Sequence, residues 1–181
     1  MLQKKVIEER QEWTFTQMQN AGIILTSEEK EKIEVSDFGL SNLDEIGIQL
    51  LVYVNTERVC AKEIVLLPNQ VCPEHKHVSM QGNLGKEETF RCRKGTVYLN
   101  IEGERTQNSK ANPFEKEKNI YTVWHEIVLN PGEQHTIFPD TLHWFQAGPE
   151  GAIVTEFSTR STDEYDVFTD KRIKRITEVA E

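Results

Sequence analysis

The chain has 181 residues, 37% of them hydrophobic and 28% charged, with a formal net charge of −9. That length suits one domain with a real core and is short for two, and no run approaches the ~20 apolar residues of a membrane helix. The acidic balance argues against broad nucleic-acid binding, which needs a basic footprint, and disfavours a strongly anionic substrate.

The N-terminal stretch MLQKKVIEERQEW has no apolar core of the kind a signal peptide carries. Residues 3–21 read as a helix with Val6, Ile7, Trp13 and Met18 on a loose apolar face and Gly22 as its stop. Thr26 and Glu29 have capping-box spacing at the start of a second, short helix. Both helices are expected to cover one end or edge of the domain. The helical pattern then fades. GIQLLVYVN and AKEIVLLP read as strands around the turn NTERVC, the second ending where a proline removes a donor. ETFRCRKGTVYLNIEGE reads as two strands joined by a hairpin at Lys94-Gly95. The polar stretch 105–119 reads as an exposed loop. Residues 121–161 read as short strands divided by PG, PD and GPEG turns. The charged tail is expected to pack over the barrel mouth or the surface. Short strands at this spacing predict an all-β barrel or sandwich behind N-terminal helices. One domain over 1–181 is expected, helical to about residue 35, β from about 36 to about 170, and a tail over about 171–181.

Three cysteines, Cys60, Cys72 and Cys92, form an odd set without CxxC spacing. A reducing compartment, and so a cytoplasmic location, is the simple reading. Cys92 reads as a small core residue rather than a nucleophile.

The chemistry concentrates between Pro73 and Gly95. His75 and His77 are two apart, so an extended chain points both imidazoles to one side. Glu88 opens the next strand-like run, and His143 in FPDTLHWF is the best candidate for a fourth ligand. Three imidazoles and a carboxylate with open positions suit a divalent transition metal. Taken alone, the histidine pair reads equally as ordinary hydrogen-bonding residues. His135 competes with His143 and reads better as a residue near the ligands, and His125 reads as structural. Glu87 has opposite parity to Glu88 and should face solvent. Trp144 and Phe145 face opposite ways, one toward the pocket and one toward a core or interface.

These pieces resemble a cupin, a small β jelly roll whose first motif is HxH, a later Glu and then a Gly. Glu88 and Gly95 fit the end of that motif, with a longer gap between His77 and Glu88. Pro139 and His143, after the turn Pro131-Gly132, fit the second motif, whose final Asn is absent. More narrowly, PEHKH, GKEETFR, PGEQHTI, PDTLHWFQAGPEGA and EFSTRSTDEYDVFTD are similar to the bacterial D-lyxose isomerase family of cupins. The resemblance implies a jelly-roll barrel, a manganese-type ion and a homodimer. It also implies interconversion of D-lyxose with D-xylulose, and often of D-mannose with D-fructose. The ligands fit Co2+, Ni2+, Fe2+ or Zn2+ as well.

Such an isomerase moves a proton between C1 and C2, and the developing enediolate oxygens need positive charge beside them. The base must not be a ligand. Glu156, on one parity with Val154 and Ser158, is the first choice, because a carboxylate inside a barrel is costly unless used or paired. Lys86, two residues before Glu88, is the candidate to stabilise or protonate a sugar oxygen, and otherwise a surface lysine. Arg160 and Asp166 are candidates to bind sugar hydroxyls and shuttle protons, or else a plain surface ion pair. The competing functions are an iron-dependent cupin oxygenase, a phosphosugar isomerase and a non-catalytic sugar-binding cupin. A binding module would not need Lys86 and Glu156 together in the pocket.

Overall fold

The computed structural model describes residues 1–80 and 82–180. Gln81, in the loop before Glu88, and Glu181, the last residue of the expected tail, lie outside the described residues.

The first helix, α1 (Lys4–Asn20), ends where the spacing predicts. Gly22 takes a positive φ of 77°, and the amides of Gly22 and Ile23 turn back to the carbonyls of Gln19 and Met18 at 2.9 Å each. That is the double bond of a Schellman stop, which satisfies carbonyls the helix end would leave free. Helix α2 (Ser27–Glu31) carries the predicted capping box, with Glu29 N donating to Thr26 Oγ1 and Thr26 N to Glu29 Oε2. Helix α1 covers the edge strand β2 through Val6 and Ile7 against Val35, as expected, and also reaches over the outer sheet face. Met18 of α1 packs with Leu25 and Ile33 against Leu51, Val65 and Ile153, the outward residues of three strands. The driving force is apolar burial on an outer sheet face.

Among the described residues nine strands make one sheet: β2 (Glu34–Ser36), β3 (Ile48–Asn55), β4 (Cys60–Leu66), β5 (Val71–Lys76), β6 (Glu88–Ile101), β7 (His125–Leu129), β8 (Gln134–Ile137), β9 (His143–Ser158) and β10 (Val167–Phe168). The order β10-β5-β9-β4-β3-β2 runs along one path, and β6 joins β9 while also pairing with β7 and β8. All these pairings are antiparallel. Inward residues such as Leu50, Ile64, Phe90, Val97, Leu99, Phe145 and Val154 form the main core. A tiny parallel pair, β1 (Leu2–Gln3) and β11 (Val179–Ala180), ties the two chain ends together.

The expected closed all-β jelly roll is corrected in two respects. The sheet is cupin-like but wraps only through 230° and keeps open edges, and helices are part of the fold. The edge strands explain the opening: β2 has three residues and β10 two, too few to pair across and close a ring. Part of the expected loop at 105–119 is also ordered, as the short helix α3 (Glu115–Lys118), and Ala111 and Glu117 are buried.

The expected hairpin at Lys94-Gly95 is instead a bend inside one long strand. β6 runs unbroken from Glu88 to Ile101 and pairs with β9 along its length, with irregularities at Cys92/Lys94 and Gly95/Val97. The GPEG segment lies opposite, inside β9, rather than dividing two strands. Gly95 has φ 75°, and a Cβ there would sit 2.0 Å from the Gly151 carbonyl oxygen. Glycine thus permits both the left-handed backbone and the close approach of two bent strands. Gly95→Ala is expected to lower stability by at least about 2 kcal/mol in chemical denaturation. An unchanged unfolding midpoint would contradict this contact.

Candidate metal centre

The strands gather the histidines at one end of the curved interior. His75 stands on β5 opposite His143, the first residue of β9. His77 follows β5 by one residue and shares the side of His75. The ring centroids lie 4.3 Å apart for His75 and His143, 5.0 Å for His75 and His77, and 5.3 Å for His77 and His143. One nitrogen from each ring lies within 4.8 Å of the others. Glu88, the first residue of β6, brings Oε1 to 3.2 Å from His77 Nε2 and 3.1 Å from His143 Nε2. The four residues expected as ligands therefore converge.

The rings are held from behind. His75 Nδ1 lies 2.8 Å from the Pro73 carbonyl and His143 Nδ1 2.9 Å from the Thr141 carbonyl. A carbonyl only accepts, so each Nδ1 carries the proton and each Nε2 keeps a lone pair for the interior. His77 Nδ1 faces Asp166 Oδ1 at 2.5 Å. His143 is wholly buried, and among the described residues its Nε2 makes no hydrogen bond although Glu88 Oε1 is near. A buried, unpartnered ring nitrogen is costly. Beside two more imidazoles and a carboxylate, it fits a divalent cation. His77, Asp163 and Asp166 form a second close group, but two lysines already engage Asp163.

Around the ligands lies a buried charged layer. Lys86 Nζ is 2.7 Å from Glu88 Oε2, 3.2 Å from Glu156 Oε1 and 3.1 Å from Asp163 Oδ1. Lys62 Nζ, from β4, is 2.6 Å from Asp163 Oδ2, 2.9 Å from Ser161 Oγ and 3.5 Å from Glu156 Oε1. Ser158 Oγ donates to the same Glu156 oxygen at 2.9 Å. Glu156 Oε2 has no hydrogen-bond partner among the described residues, and Glu156 lines the cavity beside the histidines. Arg175 Nη2 stands 3.5 Å from Asp163 Oδ2 and pairs with Glu34. Phe168 of β10 stacks on His75 at 5.3 Å.

These contacts set the protonation states. Burial would lower Lys86, but Glu156, Glu88 and Asp163 outweigh it and hold its pKa well above the usual lysine range. Lys62 is raised in the same way, with burial and Lys86 opposing and Glu156 and Asp163 prevailing. Burial would raise Asp163 and Glu88. Instead Lys86 and Lys62 hold Asp163 well below the carboxylate range, and Lys86 and His77 do the same for Glu88. Burial lowers His75, helped by His143 and His77, which favours the neutral ring a ligand requires. Burial also pulls on His77, yet Glu88 and Asp166 bring it up to about 9. Burial raises Asp166.

Not every expected residue reaches the cluster. Arg160 points away, and its guanidinium pairs with Glu57 at 2.5 Å on the exposed rim. Strand β9 ends at Ser158, so the inward alternation no longer holds two residues later. His135, on β8 opposite Phe90, does not line the histidine cavity, and His125 contacts the Glu104 carbonyl. Glu87 is exposed. Phe145 lines the cavity, while Trp144 packs outward with Tyr121 and Trp124. All three cysteines are buried and unpaired, and burial raises each thiol. Lys62, Asp163 and Arg175 were not anticipated. Lys62 left a signal, since it shares alternation with the inward Ile64 and Leu66. Asp163 and Arg175 sit in charged segments with no pattern to separate them from their neighbours.

A curved cupin-like sheet that holds a site able to coordinate a divalent cation, backed by buried acid–base groups, defines a metal-dependent sugar isomerase once its relatives are considered. A sequence profile described as D-lyxose isomerase matches residues 7–181, and the chain belongs to that family. The D-lyxose/D-mannose isomerase of Thermosediminibacter oceani is 60% identical over 179 residues, covering 99% of both chains. The D-lyxose ketol-isomerase of a Thermofilum species is 57% identical over 179 residues with the same coverage. Among solved structures, L-ribose isomerase of Cellulomonas parahominis without ligand superposes with a TM-score of 0.80 at 15% identity, covering 99% of this chain and 98% of the other. The L-ribose isomerase of Acinetobacter sp. DL28 with L-ribose gives 0.80 at 13% identity and the same coverage. At that identity the structures speak for the fold.

His143→Ala is expected to abolish stoichiometric metal in elemental analysis of metal-loaded protein; a full complement would refute the ligand set. A second expectation concerns acid. A depressed carboxylate contributes stability above its unfolded pKa of about 3.9 and loses it as pH falls through the folded value. Wild type should therefore lose more melting temperature than Asp163→Asn between about pH 5 and about pH 3. Equal losses would contradict the paired state of Asp163.

Proposed function

We propose that the protein interconverts D-lyxose with D-xylulose, and D-mannose with D-fructose, with Glu156 and Lys86 as its acid–base groups. The observation that carries this is their placement. Both are buried within reach of each other beside the imidazoles of His75, His77 and His143. A module that only binds sugar has no use for that pair.

His75, His77, Glu88 and His143 would hold the divalent cation, which we take to be Mn2+. When bound, that ion supplies a Lewis acid and template for the C1 and C2 oxygens. Glu156 Oε2 takes the proton from C2 of the aldose and returns it to C1. The C–H electron pair shifts to form the C1–C2 double bond of an enediolate while O1 gains the carbonyl electrons. The O2 proton moves to O1 as the ketone forms. The Lys86 ammonium neutralises the charge that develops on the oxygens. Asp166 orients His77 and is placed at the edge of this proton path.

The cavity against the histidines measures about 30 Å3, the share of one water. A cavity of about 670 Å3 lies beyond it, lined by Arg58, Met80, Leu84, Arg160 and Tyr165, and Lys86 lines both. The reacting end of the sugar is therefore placed at Lys86, with the remaining carbons in the outer space. Arg160 belongs to that outer wall as a hydroxyl contact. The same reading takes the enzyme as a cytoplasmic homodimer without a nucleic-acid partner, in keeping with three buried thiols and a charge of −9.

Manganese-loaded protein incubated with D-lyxose should form ketose, and EDTA should abolish the activity. No ketose from D-lyxose, D-mannose or D-ribose would end the isomerase reading. Glu156→Gln should keep its metal and lose turnover, because an amide cannot accept the proton; full turnover would remove Glu156 as the base.

A further inference from the structure

Lys62 has no place in the ligand set and lines the inner cavity but not the outer one, yet it is one of the most deeply buried large side chains in the chain, 2% exposed. An ammonium in the interior is costly unless well paired, and a buried ion pair is weak evidence for stability. An apolar residue at this inward position of β4 would suit the core better. Its contacts suggest why a lysine stands there. Lys62 lies opposite Glu156 in the β4–β9 ladder, and its ammonium approaches Oε1 of that carboxylate at 3.5 Å, not Oε2. Lys86 and Ser158 donate hydrogen bonds to the same oxygen, so one oxygen of Glu156 is held by two donors and the Lys62 ion pair, and the other has no partner among the described residues. Lys62 also takes Oδ2 of Asp163 while Lys86 takes Oδ1.

The two lysines are not equivalent. Lys86 lines both cavities and bonds Glu88, so it is the ammonium that an arriving sugar oxygen meets. Lys62 comes from the opposite strand. Its contacts to Glu156, Ser161 and Asp163 do not involve Lys86.

We propose that Lys62 is a positioning residue for proton transfer: it fixes the Glu156 carboxylate so that Oε1 stays clamped and Oε2 faces the substrate carbon. The inference rests on the isomerase reading above. A small misplacement of a reacting group costs on the order of 100-fold in rate, and Lys62 acts here through Glu156, beside which it lines the inner cavity.

The test compares manganese-loaded wild type, Lys62→Met and Lys62→Arg with D-lyxose as substrate. In Lys62→Met, kcat is expected to fall on the order of 100-fold while KM stays within about twofold. Metal content and the calorimetric affinity for an unreactive pentitol should be those of wild type. Lys62→Arg, which keeps the charge and the reach, should recover about tenfold of the loss or more. A kcat in Lys62→Met within about twofold of wild type overturns the proposal. So does a loss shared by metal content and pentitol affinity that Lys62→Arg does not restore, which would mark a structural role. Should Lys62→Met not fold, Lys62→Gln, whose amide still donates to Asp163, is judged by the same criteria. Wild type without ketose formation would instead defeat the isomerase reading, and this proposal with it, so the two failures are told apart by the wild-type arm.

Discussion

Charge balance in the interior is the constraint on which the rest depends. Glu88, Glu156, Asp163 and Asp166 face two ammoniums, those of Lys62 and Lys86, in a largely buried space. Four carboxylates against two lysines leave two negative charges, since Arg175 is matched by Glu34. Of the imidazoles bordering that space, burial favours a neutral His75, whereas His77 is brought up to about 9 and offsets part of this deficit while it keeps its proton. Two uncompensated charges in a low-dielectric interior are what a divalent cation neutralises. The same deficit holds His77 up at about 9, through Glu88 and Asp166 against the pull of burial. With all three rings neutral, the set of charges is completed by a doubly positive guest.

The backbone feature that makes this set possible is the bend shared by β6 and β9. Along their ladder Glu88 stands opposite Ser158 at one end, and Ile101 opposite His143 at the other. In a flat ladder those ends would lie far apart, yet Glu88 Oε1 is 3.1 Å from His143 Nε2. The curl around Gly95 and Gly151 brings one end of the ladder over the other. β9 thus supplies both the candidate ligand His143 and the proposed base Glu156, from positions thirteen apart in sequence. A glycine with no chemistry of its own decides whether the ligands meet.

Period-two alternation made much of this legible from sequence. It put His75 and His77 on one side, turned Glu88 inward and Glu87 outward, and gave Glu156 the parity of Val154, a face that the structure turns to the core. The motif spacing supplied His143. The same rule failed where the chain leaves the sheet. Arg160 follows the end of β9, where alternation carries no information, and it went to the rim. Asp163 and Arg175 enter the site from irregular segments, which sequence patterning does not orient. Lys62 obeyed alternation and was still missed, because a lysine between alanine and glutamate looks like a polar patch until its partners are known. The hairpin at Gly95 was misread for a related reason. Glycine after lysine serves a tight turn and a bulge equally well, and only the partner strand distinguishes them.

The open sheet and the C-terminal segment explain each other. A closed barrel would line the site with strands on every side. Here the wrap stops at 230°, and the chain after β9 supplies the missing wall: Asp163 and Asp166 around a short 3-10 turn, Phe168 opposite His75 on β10, and Arg175 beyond. An irregular wall has an advantage for this chemistry. Each strand places only alternate side chains inward, at fixed spacing. The segment from 163 to 168 instead sends Asp163, Asp166 and Phe168 into the cavity within six residues. Its own ends are secured, at one side by the Lys62 and Lys86 contacts and at the other by the β1–β11 pairing. Charge density that a strand could not deliver is therefore delivered by a tail, and the gap in the sheet is what gives the tail its place.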